Sequence, residues 1–245
     1  MVDFLKITGV SLKVIAGLVL CILVASAAVF YQGNIKEKKQ PLSMKPREWC
    51  FWVSNDKYLF SSKYIHLWPE YYYEQGPGMG EGAAELECSA KVRSISLAMN
   101  WPELTPGNYF SEKFNGIVVT LEPWSIGERG LRETLNHFMS KVSPSVRRSN
   151  TVVSSSGMKQ LEVTDAVFPA FPRQVFWHEN GNSLEVVGVC RWSAYRSNYH
   201  FCHFRYLSEN NETIVKIDFY WNDLSSWSEI ASRVNDFLSS KRVAN

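Results

Sequence analysis

The longest apolar run of the chain extends from Val14 to Tyr31 and contains no charged residue. As a helix it would be about 27 Å long at about 1.5 Å per residue, close to the roughly 30 Å of a hydrocarbon core. A helix of a soluble core would be polar on one side, and this run is not. It therefore predicts a transmembrane signal anchor over 14–31, with residues 1–13 as a short cytoplasmic tail.

A cleaved signal peptide is the alternative interpretation of the same run. Ala25, Ser26 and Ala27 form the small-x-small pattern that precedes a cleavage site, which would lie after Ala27. Orientation is also open, because the lysines of the segment 36–39 lie on the side that the anchor would export. Positive residues usually remain on the cytoplasmic side, so the cysteines have to decide the orientation.

Beyond the anchor, residues 32–48 are polar and contain two prolines, which is typical of a tether. The residues after it show alternating apolar and polar positions, which predict strands. The expected strands and hairpins cover 49–54, 88–99, 117–121, 152–163, 174–177, 183–189, 202–207 and 213–221. Turn residues predict hairpin connections around Ser156-Gly157, at 179–182 and at 208–211. Residues 55–86 are rich in aromatic side chains without clear alternation, so we expect irregular structure there, with a mobile glycine-rich loop over 74–83.

Two segments have helical periodicity instead. The first begins near Glu128 and should end at Ser143-Pro144; its apolar face consists of Leu131, Leu135, Phe138, Met139 and Val142. The second has an apolar stripe of Leu224, Trp227, Ile230, Ala231, Val234, Phe237 and Leu238. Ser226 and Glu229, near the start of this stripe, have the spacing of a capping box.

These patterns predict an α+β fold, with antiparallel sheet packed by two main amphipathic helices and preceded by one N-terminal transmembrane helix. The α+β domain should cover 49–245. Because strands followed by a helix occur twice, a pseudo-duplication of 49–143 and 150–245 is possible.

The net charge of the predicted domain indicates which kind of partner it can bind. The chain has 26 basic and 24 acidic residues, and residues 1–39 contain five of the former and two of the latter. The remaining 21 basic and 22 acidic residues give the domain almost no net charge, whereas nucleic-acid binders have a strongly basic surface. We therefore expect no nucleic-acid partner. The 14% of aromatic residues should mostly fill the core, with a few available for contacts.

Four cysteines lie in the predicted domain, besides Cys21 in the apolar run. Cys190 and Cys202 end two strand-like runs that would be antiparallel neighbours, so a disulfide should join them and stabilise the fold by roughly 3 kcal/mol. Cys50 and Cys88 then pair by elimination. Disulfides persist outside the reducing cytosol, which favours an exported domain. The alternative is four free thiols in a cytosolic protein.

Local signatures of catalysis are absent from the sequence. The segment Gly78–Ala83 has the spacing of a dinucleotide fingerprint, but it follows Pro77 rather than a strand. His200, Cys202 and His203 are close enough in sequence to suggest metal ligands, but strand alternation would separate His203 from the other two. We therefore predict no catalytic residue, no metal and no cofactor.

The segment 191–200 between the two strand-like runs is the candidate for partner binding. It contains Trp192, Tyr195, Arg196 and Tyr199. A loop closed by a disulfide loses less entropy when it docks, so these residues could form a preorganised binding loop. Alternatively, the loop folds its aromatic rings onto the sheet.

The layout of short tail, single anchor, exported domain and paired cysteines resembles the membrane-anchored immunity proteins of bacterial type VI secretion. The ending Ile214–Leu238, a strand, a Leu-x-x-Trp turn and an amphipathic helix, is similar to the end of several of them. The resemblance implies a non-catalytic protein of the inner membrane whose periplasmic domain binds and neutralises a cognate toxic effector. The alternatives are a cell-envelope hydrolase with scattered catalytic residues and a structural subunit of an envelope assembly.

Overall fold

The computed structural model describes residues 48–72, 88, 90–140, 142, 145, 150–154, 157–164, 172–193 and 198–243. The predicted tail, anchor and glycine-rich loop lie outside these ranges, as does the predicted tether up to Arg47. Within the described residues, no helix is long and apolar enough to cross a membrane.

Antiparallel strands form the framework of the unit Pro46–Asn245. Its strands are β1 (Glu48–Val53), β2 (Asp56–Ser61), β3 (Ile65–Tyr71), β4 (Val92–Asn100), β5 (Gly116–Pro123), β6 (Val152–Val153), β7 (Lys159–Val163), β8 (Arg173–Asn180), β9 (Ser183–Ser193), β10 (Asn198–Leu207) and β11 (Thr213–Tyr220). Two helices have both ends in the described residues, α1 (Gly127–Phe138) and α2 (Trp227–Lys241). The α+β prediction is confirmed.

The described strands β3 to β11 form one sheet in the order β3-β4-β5-β11-β10-β9-β8-β7-β6, and β1 and β2 form a separate hairpin. Both halves of the chain contribute to the large sheet, since β5 pairs with β11. The division of the chain into two duplicated halves stays a prediction.

The larger core lies on one face of the sheet, which α2 and the β1–β2 hairpin cover. Its sheet side chains alternate along the strands, as Leu97 on β4, Val119 on β5 and Ile217 on β11 do. From α2, the buried side chains are Ile230, Val234 and Leu238. Gly188 on β9 lies opposite Phe204 on β10, where an added Cβ would stand 2.6 Å from the phenyl ring. Glycine is therefore required for that ring to lie on the sheet.

A second core lies under α1. Leu131 is its buried anchor, and it joins a cluster with Val175, Val187 and Val189 from β8 and β9. The predicted face of this helix is correct, because Leu135, Phe138 and Val142 pack against the same cluster. The helix itself ends earlier than predicted, at Phe138. The backbone N–H of Met139 already closes the last turn on the carbonyl oxygens of Leu135 and His137.

The predicted turns of the second half are present. Gly181 stands between β8 and β9 with φ +61°, and Asn211 stands between β10 and β11 with φ +59°. Glycine and asparagine tolerate this left-handed conformation better than other residues. The predicted hairpin around Ser156-Gly157 is also present, with β6 paired to β7.

Three local expectations were wrong. Residues 56–71 contain β2, the 3-10 turn Ser62–Tyr64 and β3 rather than irregular structure. Tyr58 and Phe60 are the buried side chains of β2. This alternation is short and has aromatic residues on both sides, so it could not be recognised in the sequence. Cys88 precedes β4, which begins at Val92. Ser226 makes no capping hydrogen bond, because a 3-10 turn over Trp221–Ser226 leads into α2 and gives Ser226 ψ 12° instead of the extended backbone of a cap.

Candidate functional site

Both predicted disulfides are present. Cys190 on β9 and Cys202 on β10 are directly opposite in the strand register, with both side chains fully buried. Cys50 on β1 is bonded to Cys88, which holds the β1–β2 hairpin to the chain just before β4. One bridge therefore joins two central strands of the large sheet, and the other ties the β1–β2 hairpin to the chain before β4.

The predicted binding loop is mostly strand. β9 continues to Ser193 and β10 begins at Asn198, so Trp192 lies opposite Tyr199 in the register. Trp192 is half-buried, and its backbone N–H donates to the carbonyl oxygen of Pro172 at 3.2 Å. Tyr195 and Arg196 lie outside the described residues. The structure thus brings Trp192 and Tyr199 together, and the binding role of all four residues stays a prediction.

The histidines near the second disulfide do not form a metal centre with it. Cys202 is bonded to Cys190 and therefore has no free thiolate for a metal. His203 Nδ1 lies 2.7 Å from Asp218 Oδ1 on the neighbouring strand. His200 packs its ring against Tyr220, with 5.2 Å between ring centroids. No group of three His, Cys, Asp or Glu side chains suited to a metal ion occurs in the part of the chain that the structure describes.

A different surface stands out at the far end of the sheet, and we call it the edge surface: His66, Leu67 and Trp68 of β3 with Tyr109 and Phe110 of the β4–β5 connection. Trp68 is 78% exposed, Phe110 75% and Leu67 53%. Soluble monomers rarely expose contiguous apolar patches of this kind without a function. No pattern in the sequence indicated a role for any of these residues.

The edge surface is built on ordered backbone. β3 is the outermost described strand on its side of the sheet and pairs with β4. The β4–β5 connection folds back on Asn100, whose side-chain Nδ2 donates to the carbonyl oxygen of Pro106 at 3.0 Å. In this arrangement the ring centroids of Tyr109 and His66 are 4.2 Å apart. The exposed rings are therefore held in place.

A crevice of about 280 Å³ opens along β3 within the edge surface. Trp49 and Trp68 stand edge to face at 5.3 Å between ring centroids at its side. Its lining consists of Trp49, Ser62, Ile65, His66, Leu67 and Trp68. Burial lowers the pKa of His66 below its usual 6.5, so the imidazole is neutral at pH 7 and the crevice wall carries no positive charge.

Ring contacts connect the edge surface to the β9–β10 hairpin. Tyr109 contacts Phe114 at 5.6 Å between centroids, and the Tyr220 hydroxyl donates to the Phe114 carbonyl oxygen at 3.3 Å. Tyr220 in turn contacts Phe201, at 5.6 Å. One row of aromatic side chains thus runs from β3 to β10, where Phe201 is close in the strand register to Trp192 and Tyr199.

Aromatic density was the signal that could have identified the edge surface. Tyr64 to Tyr73 contains five Tyr or Trp residues, and Tyr109, Phe110 and Phe114 occur within six positions. Sequence alone cannot show which rings face solvent, because buried and exposed aromatic residues look alike in a pattern. Clustered, rigid and exposed aromatic side chains are suited to protein contacts, where Trp and Tyr dominate the binding energy.

Comparison with known proteins gives a likeness of fold. No protein-family model matches the sequence, and no curated protein matches it significantly. The structure is similar to that of an immunity protein of the Stenotrophomonas maltophilia type IV secretion system, over 81% of this chain and 94% of that one, with TM-score 0.52 and 12% identity. The iron-regulated outer membrane lipoprotein FrpD of Neisseria meningitidis matches over 80% and 92%, with TM-score 0.47 and 9% identity. This chain therefore has a fold that an immunity protein also uses.

Proposed function

We propose that this chain is a non-catalytic immunity protein that binds and neutralises a toxic effector protein acting in the periplasm. The observation that carries the proposal is the edge surface, a group of exposed aromatic side chains held on a braced antiparallel sheet. Neutralising a toxin requires tight binding, and rigid aromatic anchors supply it at a low entropic cost. The shared fold with an immunity protein supports the same function.

Location is part of the proposal. Two disulfides favour a compartment more oxidising than the cytosol, and residues 14–31 would anchor the chain in the bacterial inner membrane. The partners are then the cognate effector and the membrane. The nearly neutral charge of residues 40–245 argues against nucleic acid.

Deletion of the gene tests this function. Cells without the chain should die when mixed with wild-type sister cells that deliver the effector, and re-expression of the chain should restore survival. Normal survival of the deletion strain would refute the proposal. Attackers defective in type VI or in type IV secretion would identify the delivery route, since the sequence resemblance implies the former and the structural neighbour belongs to the latter.

A cell-envelope hydrolase is the second candidate, and one observation favours it. Asp218 contacts His203 in the way that a carboxylate orients a catalytic imidazole. Substitution His203→Gln separates the two functions, because it would abolish hydrolysis and leave binding of a toxin intact. We expect full protection by this variant.

The hairpin residues can be tested in the same assay. Trp192→Ala combined with Tyr195→Ala should weaken protection without unfolding the domain, as judged by circular dichroism. Unchanged protection would exclude the hairpin from the interface and leave the edge surface as the candidate.

A further inference from the structure

We propose that the effector docks on β3 by adding an extended segment to this edge of the sheet, with a large apolar side chain in the crevice and a basic residue next to it. The inference rests on the proposed function and specifies the place and chemistry of the contact. Binding by strand addition combines main-chain hydrogen bonds with a pocket for a side chain.

Among the described strands, β3 has a neighbour on one side only. Folded proteins usually protect such edges with lysines, prolines, β-bulges or very short strands. β3 has seven residues and no lysine or arginine. Pro69 interrupts it, and its register with β4 shifts between Ile65 and Leu67 and again on both sides of Glu70. Main-chain pairing with a partner is therefore confined to Ile65–Trp68, before the proline removes an amide donor.

The crevice along β3 is small. A volume of about 280 Å³ lies at the lower limit of the roughly 300–1,000 Å³ of sites for drug-sized ligands. It suits one large side chain. The crevice lies directly along Ile65–Trp68, so a residue of an added strand would point into it while its backbone pairs with β3. A protein segment therefore fits this site better than a free small molecule does.

The charges at this edge favour a basic residue in the partner, next to the apolar residue that enters the crevice. Glu70 is exposed and is the only residue of β3 with a full charge at pH 7, since His66 is neutral there. The exposed rings of Trp68 and Phe110 present negative π faces that attract cations. A basic side chain of the partner would find both the carboxylate and the rings at this edge.

Protection of a deletion strain by variants of the full chain tests the proposal. Trp68→Ala combined with Phe110→Ser should weaken effector binding by about 30-fold or more, as expected for hot-spot residues, and should lose protection. Glu70→Lys should weaken protection to a smaller degree. The matched control is Val152→Ser with Val153→Ser, which alters two exposed residues on the opposite edge strand (56% and 65% exposed) and should protect fully.

Each variant needs wild-type abundance, intact disulfides and an unchanged circular dichroism spectrum, so that loss of protection reports on contact. Full protection by the Trp68 and Phe110 double variant in a sensitive deletion strain would overturn the docking site and leave the proposed function standing. A deletion strain that survives would overturn both. These two failures are therefore distinguishable.

Crosslinking identifies the occupant. A photoreactive benzoylphenylalanine in place of Trp68 should form an adduct with a protein that kills cells when it is expressed without this chain. An adduct of about twice 28.1 kDa that contains only this chain would show self-association and overturn the proposal. An adduct to lipid, or none in attacked cells, would overturn it as well.

Discussion

The two outermost described strands of the large sheet differ in length and in what they expose. At one edge β6 has two residues, Val152 and Val153, too few for extended pairing with another chain. At the other edge β3 has seven residues and presents Leu67 and Trp68 to solvent. Shortening is a common protection of an edge strand. The comparison indicates that one edge is closed to partners and the other is kept available.

Support behind the two edges differs too. The region of β3 is backed by the β1–β2 hairpin, in which Phe51 and Phe60 stack at 5.7 Å between ring centroids, and by the Cys50–Cys88 disulfide. The region of β6 is backed by β7 and its buried Leu161. A binding edge gains affinity from such rigidity, whereas a closed edge needs only stability.

The largest expected effect comes from the disulfides. Cys50→Ser with Cys88→Ser should lower the free energy of unfolding by about 4 kcal/mol, and Cys190→Ser with Cys202→Ser by about 3 kcal/mol, because the sequence separations are 38 and 12 residues. Urea unfolding measures both. An equal or reversed order would show that chain entropy does not govern the difference between the two disulfides.

Single truncations at the two edges should dissociate stability from protection. Leu161→Ala, behind the short edge, should cost about 3 kcal/mol because it empties a buried site. Trp68→Ala should change stability by no more than about 0.5 kcal/mol, since the ring is mostly exposed. Thermal denaturation and the survival assay check the pair: Leu161→Ala should protect wherever it remains folded, and Trp68→Ala should not. Equal protection by the two variants would remove the functional contrast between the edges.

The smallest effect concerns the contact of α1 with β9, on the side of the short edge. The backbone N–H of Leu184 donates to Glu128 and, with Arg132 and Ser183, lowers the pKa of that carboxyl below its usual 4.5. A depressed folded pKa contributes stability above about pH 4.5 that is lost as pH falls through the folded value. Glu128→Gln should therefore be slightly less stable than wild type at pH 7.

At pH 3 that difference should be smaller, which urea midpoints at the two pH values would show. Glu133→Gln is the control, because the Glu133 carboxylate is more exposed and its ion pair with Arg129 is long at 3.7 Å. It should show little pH dependence. A constant difference for Glu128→Gln at both pH values would mean that its charge has no role.

Much of the fold could be predicted where the pattern was long or the turn residues were specific. The alternation of β4 and β11, the apolar stripes of both helices and the turn at Gly181 were read correctly from the sequence. Prediction failed for β2 and β3, where alternation covers few residues and nearly every position is aromatic or apolar. It also failed at Ser226, because only the preceding 3-10 turn determines the backbone angle of that residue.

The candidate site could be predicted from the sequence only in part. The sequence indicated the disulfide pairs, because strand order brings Cys190 opposite Cys202 and leaves Cys50 for Cys88. It indicated Trp192 and Tyr199 by their place between those strands. It did not indicate Trp68 and Phe110, which are 42 positions apart in the chain. Trp68 and Phe110 share one surface because β3 pairs with β4 and the β4–β5 connection folds back towards β3.

The sequence by itself determined the antiparallel α+β class, the cysteine pairing and the faces of the two helices, because these follow from local periodicity and from order along the chain. Only the tertiary structure decided which strands stand at the edges of the sheet and which aromatic rings remain outside. Burial depends on what packs against a residue, and for Trp68 and Phe110 distant segments decide that. The exposed edge at β3 is therefore a property of the assembled sheet.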